Sequence, residues 1–122
     1  MKNRPFHERM GFALAGLRAA WQRESSFRTH CLMAVLALGA LLVLRPAPVW
    51  WALVALVVAL VMALELVNSA LEAIIDRLHP ERHPEIRIVK DMLAGAVLVA
   101  SIAALLIALA LAIELWRAGE LF

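Results

Sequence analysis

The chain has 122 residues, of which 64% are hydrophobic, and its mean hydropathy is +0.83. Soluble domains reach only roughly 45–50% apolar residues even when glycine is counted, and so small a domain could not bury a larger share. Soluble enzyme classes are therefore nearly excluded. The charged residues, 18% of the chain, avoid three long stretches, which is typical of an integral membrane protein.

The first predicted element is an amphipathic helix over about 5–25. Apolar residues recur there at helical spacing, whereas basic residues lie off that stripe. The stripe consists of Phe6, Met10, Ala13, Leu14, Leu17 and Trp21. Helices of this kind lie in the headgroup plane and favour anionic lipid. Many of them are no more than orienting anchors.

Three apolar stretches follow, at Cys31–Leu44, Val49–Leu64 and Met92–Ile113. Because a crossing needs about 20 helical residues, the third is long enough and the first two must extend into polar sequence. We therefore predict membrane helices over 27–45, 49–78 and 90–116, with a cytoplasmic loop at 79–89. Residues 31–44 could instead be a signal-peptide core, but the preceding segment is too long for one.

Basic residues predict the orientation, because cytoplasmic flanks carry the positive excess. All but two of the 12 Lys and Arg residues precede the first stretch or lie between the second and third; the exceptions are Arg45 and Arg117. We expect a cytoplasmic N-terminus and a periplasmic C-terminus in a bacterial inner membrane. The lone Cys31 gives no disulfide framework.

A polar face interrupts the second apolar stretch. Five polar residues fall on one arc about 100° wide when the segment is helical. They are Glu65, Asn68, Ser69, Glu72 and Asp76. Ionisable groups at membrane depth cost about 2.5–3.5 kcal/mol each and tend to mark function. A carboxylate at lipid depth suits a general base, carboxylates near water suit Mg²⁺, and Lys90 suits a phosphate, so the pattern indicates phosphoryl transfer to a membrane-embedded hydroxyl.

Two interpretations without catalysis remain open for this face. It could be a polar network that holds helices together, or an oligomeric proton or cation pathway. The chain has only 5 glycines and contains neither a Walker A motif nor a kinase Gly-rich loop. Any nucleotide site must therefore be built in another way.

The segments Gly16–Glu24, Glu65–Asp76 and Lys90–Val97 closely resemble the prokaryotic integral-membrane diacylglycerol kinase family, which includes undecaprenol kinases. The pattern ExxN[ST]AxExxxD at 65–76 is its most specific part. The resemblance implies an all-α homotrimeric bundle of three-span protomers, each with an amphipathic surface helix. It also implies transfer of the ATP γ-phosphate to diacylglycerol, giving phosphatidic acid, or to undecaprenol; no nucleic acid partner is expected.

The resemblance assigns roles by position. Glu65 matches the proposed general base, and Glu24 and Glu72 match the Mg²⁺ carboxylates. Positions matching the nucleotide site are Phe12, Glu24, Asn68, Glu72, Asp76, Glu81, Arg82, His83, Lys90 and Asp91. Positions matching the lipid site are Arg9, Arg18, Trp21, Phe27, Arg28, Glu65 and Ala94.

The chain departs from the family pattern at two of these regions. Pro5 stands where many members have Arg, so Arg4 or Arg9 would replace that nucleotide contact, and Phe12 stands where Tyr is common. Segments 27–30 and 83–84 look more like undecaprenol kinases, whereas 16–21 looks more like proteobacterial diacylglycerol kinases. The choice of lipid therefore stays open.

The last apolar stretch independently favours an oligomer. Small residues repeat there at every fourth position, which lets helices approach closely. They are Ala96, Ala100, Ala104, Ala108 and Ala112. We predict that protomers share the site.

Overall fold

The computed structural model describes residues 2–119 of the chain. They form four helices: α1 (Phe6–Arg23), α2 (Ser25–Leu44), α3 (Pro48–Leu78) and α4 (Pro84–Arg117). The predicted all-helical architecture is confirmed.

Three of these helices, α2, α3 and α4, are long and apolar enough to cross a membrane. At 1.5 Å per residue they measure about 30, 46 and 51 Å, against a hydrocarbon core of about 30 Å. Two of them therefore extend well beyond the hydrocarbon. The chain is an integral membrane protein by length and composition.

The connection between α2 and α3 is very short. Arg45 ends α2 in the left-handed conformation, at φ 48°, and its backbone N–H donates to Leu41 O at 2.8 Å. Pro46 disfavours helical geometry in the preceding residue, and Pro48 fits the first position of α3 because its missing N–H would be unpaired there. The two helices therefore form a tight antiparallel hairpin.

The loop between α3 and α4 is shorter than the sequence predicts, and α4 begins at Pro84 rather than at residue 90. Residues 84–89, predicted as loop, are helical because the start of α4 is well specified. His83 caps it, since its Nδ1 accepts from the backbone N–H of Glu85 at 3.1 Å. Pro84 occupies the first turn, where proline is favoured, and Glu85 lies beside the positive end of the helix dipole.

The helices pack as a bundle in which α3 contacts both α2 and α4. We call the end with the 45–47 connection the turn end, and the end with the 79–83 loop the loop end. A core cluster lies at the turn end, where Leu41 of α2 meets Leu111 and Leu115 of α4. There the indole N–H of Trp50 also donates to the Glu114 carboxylate.

An apolar groove of about 540 Å³ runs along α2, α3 and α4. Alanines line it from two sides, with Ala34, Ala37 and Ala40 on α2 and Ala104, Ala108 and Ala112 on α4. His30 and Ser101 are its polar lining residues. The groove reaches from the turn end to His30, which lies beside the middle of α3.

Helix α1 lies against α2 and α3 but has no buried residue. The large apolar residues of its stripe stay exposed, from 42% for Leu17 to 74% for Phe6. The chain itself therefore leaves this stripe uncovered.

Candidate functional site

Glu65 is the buried polar residue at the centre of the site. Its exposed fraction is 4%, comparable to that of the apolar core residues. The side chain of Ser26, on the second residue of α2, donates a hydrogen bond to Oε1 of Glu65. This contact joins the start of α2 to the middle of α3, and it compensates part of the cost of burying a carboxylate.

The second oxygen of Glu65 faces a histidine. Nδ1 of His30 lies 3.7 Å from Oε2, too far for a hydrogen bond. That nitrogen is buried and has no hydrogen-bond partner within residues 2–119. Because Ser26 and His30 are four residues apart, they lie on the same face of α2. One helix face therefore meets both oxygens of Glu65.

The rest of the polar face becomes more exposed toward the loop end. Oδ1 of Asn68 is buried without a hydrogen-bond partner in the described part of the chain. Ser69 and Glu72 are half-buried. The Asp76 side chain is 63% exposed, whereas that of Glu65 is 6% exposed. The face thus leads from an exposed carboxylate to a buried one, about 16 Å apart along the helix axis.

Lys90 contacts this face from α4. Its Nζ lies 2.5 Å from Oδ1 of Asp76, so the short loop brings together two residues predicted to line one nucleotide site. Asp91 instead pairs with Arg87 on its own helix, at 3.4 Å, and both side chains are mostly exposed. The Lys90 ammonium therefore sits at the loop end, next to the carboxylate face.

Glu24 is the single residue between α1 and α2, in an extended conformation with φ −114° and ψ 107°. Its neighbours hold the two helices together. Nη1 of Arg28 donates to the backbone oxygen of Trp21 at 2.6 Å, and Phe27 is buried. Phe27 and Arg28, predicted for lipid contact, thus pack within the chain at this junction.

The donors predicted for Mg²⁺ are two half-buried carboxylates, Glu24 and Glu72. Within residues 2–119 no three His, Cys, Asp or Glu side chains are grouped to hold a metal ion. Mg²⁺ in phosphate-transferring sites takes only one or two carboxylates, because substrate phosphates and waters complete its shell. The chemistry of this donor set therefore fits Mg²⁺ delivered with a nucleotide.

Glu81, Arg82 and His83 form most of the exposed loop between α3 and α4. His79, Glu81 and His83 line a shallow cleft of about 320 Å³ together with the first turn of α4. His83 is also the cap of α4. The loop thus offers polar side chains at the loop end.

The remaining predicted residues lie on exposed surfaces. Arg9, Phe12 and Arg18 are exposed on α1, where Trp21 is 50% exposed, and Ala94 is exposed on α4.

Sequence reasoning missed Ser26 and His30, the two residues of α2 that lie against Glu65. Their spacing of four residues just after Glu24 was the available signal.

Comparison with known proteins identifies the family to which the chain belongs. The family model described as prokaryotic diacylglycerol kinase matches residues 11–112, which include α2, α3, most of α1 and most of α4. The comparison with curated proteins finds no match. Since the family match covers well over half of the sequence, the chain belongs to the prokaryotic diacylglycerol kinase family.

Proposed function

We propose that the protein transfers the γ-phosphate of ATP to the hydroxyl group of diacylglycerol, giving ADP and phosphatidic acid. The family is one of lipid kinases, which supports the reaction class. The observation that carries the proposal is the buried Glu65 carboxylate, at the inner end of a polar face that becomes exposed toward Asp76 and Lys90. This arrangement suits a reaction between a lipid hydroxyl and a water-soluble nucleotide.

In the proposed reaction, the lipid oxygen forms a bond to the γ-phosphorus, and the bond from that phosphorus to the bridging oxygen of ADP breaks. Glu65 takes the proton of the lipid hydroxyl, as a general base does. Glu24 and Glu72 would hold the Mg²⁺ of Mg·ATP, which offsets phosphate charge.

Lys90 and Asp76 would help to position the nucleotide phosphates. Lysine binds phosphate as a point charge, so an incoming nucleotide would draw Lys90 away from its contact with Asp76. The pair is partly exposed and an exposed pair is worth only about 0–1 kcal/mol, so breaking it costs little. Positioning and charge neutralisation supply most of the rate in phosphoryl transfer.

The assembly belongs to the same proposal. We place α1 at the cytoplasmic surface of a bacterial inner membrane, with the loop end inside, in a homotrimer that shares its sites. The exposed stripe of α1 supports the first part. The alanine-lined groove supports the second, since small residues on two helices allow a helix of another protomer to approach closely.

The test is Mg²⁺-dependent ATP consumption by the purified protein in lipid–detergent micelles. We expect diacylglycerol to stimulate it, with phosphatidic acid appearing in step with ADP. Undecaprenol is the second acceptor to run in parallel, because residues 27–30 and 83–84 look like that branch of the family. Turnover with undecaprenol alone would reassign the acceptor.

The lack of stimulation by either lipid would refute the kinase proposal. Nucleotide-independent proton or cation flux through liposomes containing the protein would then support the pathway interpretation of the same carboxylate face.

A further inference from the structure

The contacts of Glu65 carry one inference beyond its role as a base. We propose that His30 and Ser26 are positioning residues that select Oε2 of Glu65 as the proton-accepting oxygen and stabilise it once it is protonated. This inference rests on the proposed function. It concerns how the carboxylate is held and changes neither the reaction nor the substrates.

The contact with Ser26 makes the two carboxylate oxygens of Glu65 unequal. Its hydroxyl donates to Oε1, so one lone pair of that oxygen is already engaged. Oε2 receives no hydrogen bond from His30, because the 3.7 Å between Oε2 and Nδ1 is too long. The oxygen without the serine contact is therefore the stronger proton acceptor of the two.

His30 is suited to the state that follows proton transfer. When the imidazole carries its hydrogen on Nε2, Nδ1 is an acceptor, and here it is buried with no donor in the described residues. An ionised Oε2 and Nδ1 are two acceptors, so they form no hydrogen bond. After Oε2 takes the proton from the lipid hydroxyl, its O–H can donate to Nδ1.

The movement required is small. An ordinary O–H···N hydrogen bond has its heavy atoms about 2.8 Å apart, so the 3.7 Å separation must close by less than about 1 Å. A rotation of the Glu65 side chain supplies this. When Glu65 already holds the proton as the lipid oxygen attacks the γ-phosphorus, this hydrogen bond is present in the transition state of phosphoryl transfer and absent from the ground state, so it raises kcat rather than substrate affinity.

The experiment compares three substitutions of His30 in the full-length protein. Asparagine can place its oxygen near the position of Nδ1, glutamine places its polar atoms about one bond farther out, and leucine offers no acceptor. With diacylglycerol and Mg·ATP in micelles, we expect H30L and H30Q to lower kcat by about three- to tenfold, the effect of one hydrogen bond. We expect H30N to stay within about twofold of wild type, and KM for Mg·ATP to be unchanged in all three.

Met33→Leu is the matched control. Met33 lies on α2 near His30 and lines the same groove. The polar contacts of Glu65 are with Ser26 and His30, and Met33 takes no part in them. It should keep the wild-type kcat. If H30L fails to fold, the comparison of H30N with H30Q decides alone, because both introduce an amide.

Equal kcat losses in H30N and H30Q would overturn the inference, as would wild-type kcat in folded H30L. A wild-type protein without lipid-stimulated ATP consumption would instead overturn the proposed function. The two failures are thus distinguishable.

Discussion

Replacing Glu65 by glutamine removes the proposed base while keeping its shape. The amide oxygen can still accept from Ser26, and the amide NH₂ can donate to Nδ1 of His30, which has no donor in the described chain. The hydrogen bond from Ser26 is thus kept and one to His30 can form, so we expect the variant to fold. What is lost is a group able to take the lipid proton.

The size of the effect follows from that loss alone. A positioned general base contributes about 10²–10⁴ in rate, and each factor of ten equals about 1.36 kcal/mol of barrier. Glu65→Gln should therefore raise the barrier by about 2.7–5.4 kcal/mol. The affinity for Mg·ATP should stay near wild type, because Glu65 is not among the residues assigned to the nucleotide or to its Mg²⁺.

The assay measures lipid-stimulated ATP consumption together with the binding of a non-hydrolysable Mg·ATP analogue to the same preparation. Glu114→Gln is the matched control, since it makes the same chemical change at the turn end, where Glu114 accepts from Trp50. It should keep turnover within about twofold, a barrier change of about 0.4 kcal/mol, because Glu114 lies at the turn end, away from the residues assigned to the reaction. Turnover of Glu65→Gln near that of wild type would refute the assignment of the base.

The remaining predictions concern the nucleotide and the turn end. Glu72→Gln should raise KM for Mg·ATP by at least about tenfold, because the loss of even an outer-shell group of a metal site lowers metal affinity or activity about 10–100-fold. In a magnesium titration, excess Mg²⁺ should lower the raised KM again. Lys90→Met should raise KM for ATP yet change the unfolding midpoint little, because its partner Asp76 is 63% exposed; a large thermal destabilisation would contradict this. Trp50→Phe should lower the unfolding free energy by about 0.5–1.5 kcal/mol in a denaturation series, because the exposed Glu114 carboxylate loses one hydrogen-bond donor, and an unchanged kcat would separate the turn end from the site.

The sequence predicts the helices well because the membrane leaves few alternatives. Every backbone group within lipid must be paired, so an apolar stretch of sufficient length becomes a helix. The predicted start of α4 at residue 90 was wrong because the prediction followed the apolar stretch, which begins only at Met92, whereas the helix begins at Pro84. The local signals for a helix at 84 were nevertheless present, with a capping His83, a proline in the first turn and Glu85 behind it.

The site was only partly predictable for a different reason. Helical periodicity places Glu65 and Asp76 on one face of α3, but it does not say which neighbouring helix that face meets. The contacts of Glu65 with α2 span 39 residues of sequence, and they depend on the angle and register of two packed helices. The Asp76–Lys90 pair was easier to predict, because a five-residue turn between antiparallel helices brings the residues on either side of it together.

The packing at the turn end has a consequence for biogenesis. Leu41 of α2 is covered there by Leu111 and Leu115, the last apolar turns of α4, and the indole of Trp50 finds its acceptor in Glu114. During synthesis α2 and α3 emerge as a closed hairpin long before these partners exist. Until α4 has crossed the bilayer, the hairpin lacks the Glu114 acceptor of the Trp50 indole, and the apolar cluster around Leu41 contains only hairpin residues such as Trp51 and Val54. Arrival of the C-terminal segment therefore completes the fold at the turn end, and a chain that stops before residue 111 would lack this packing.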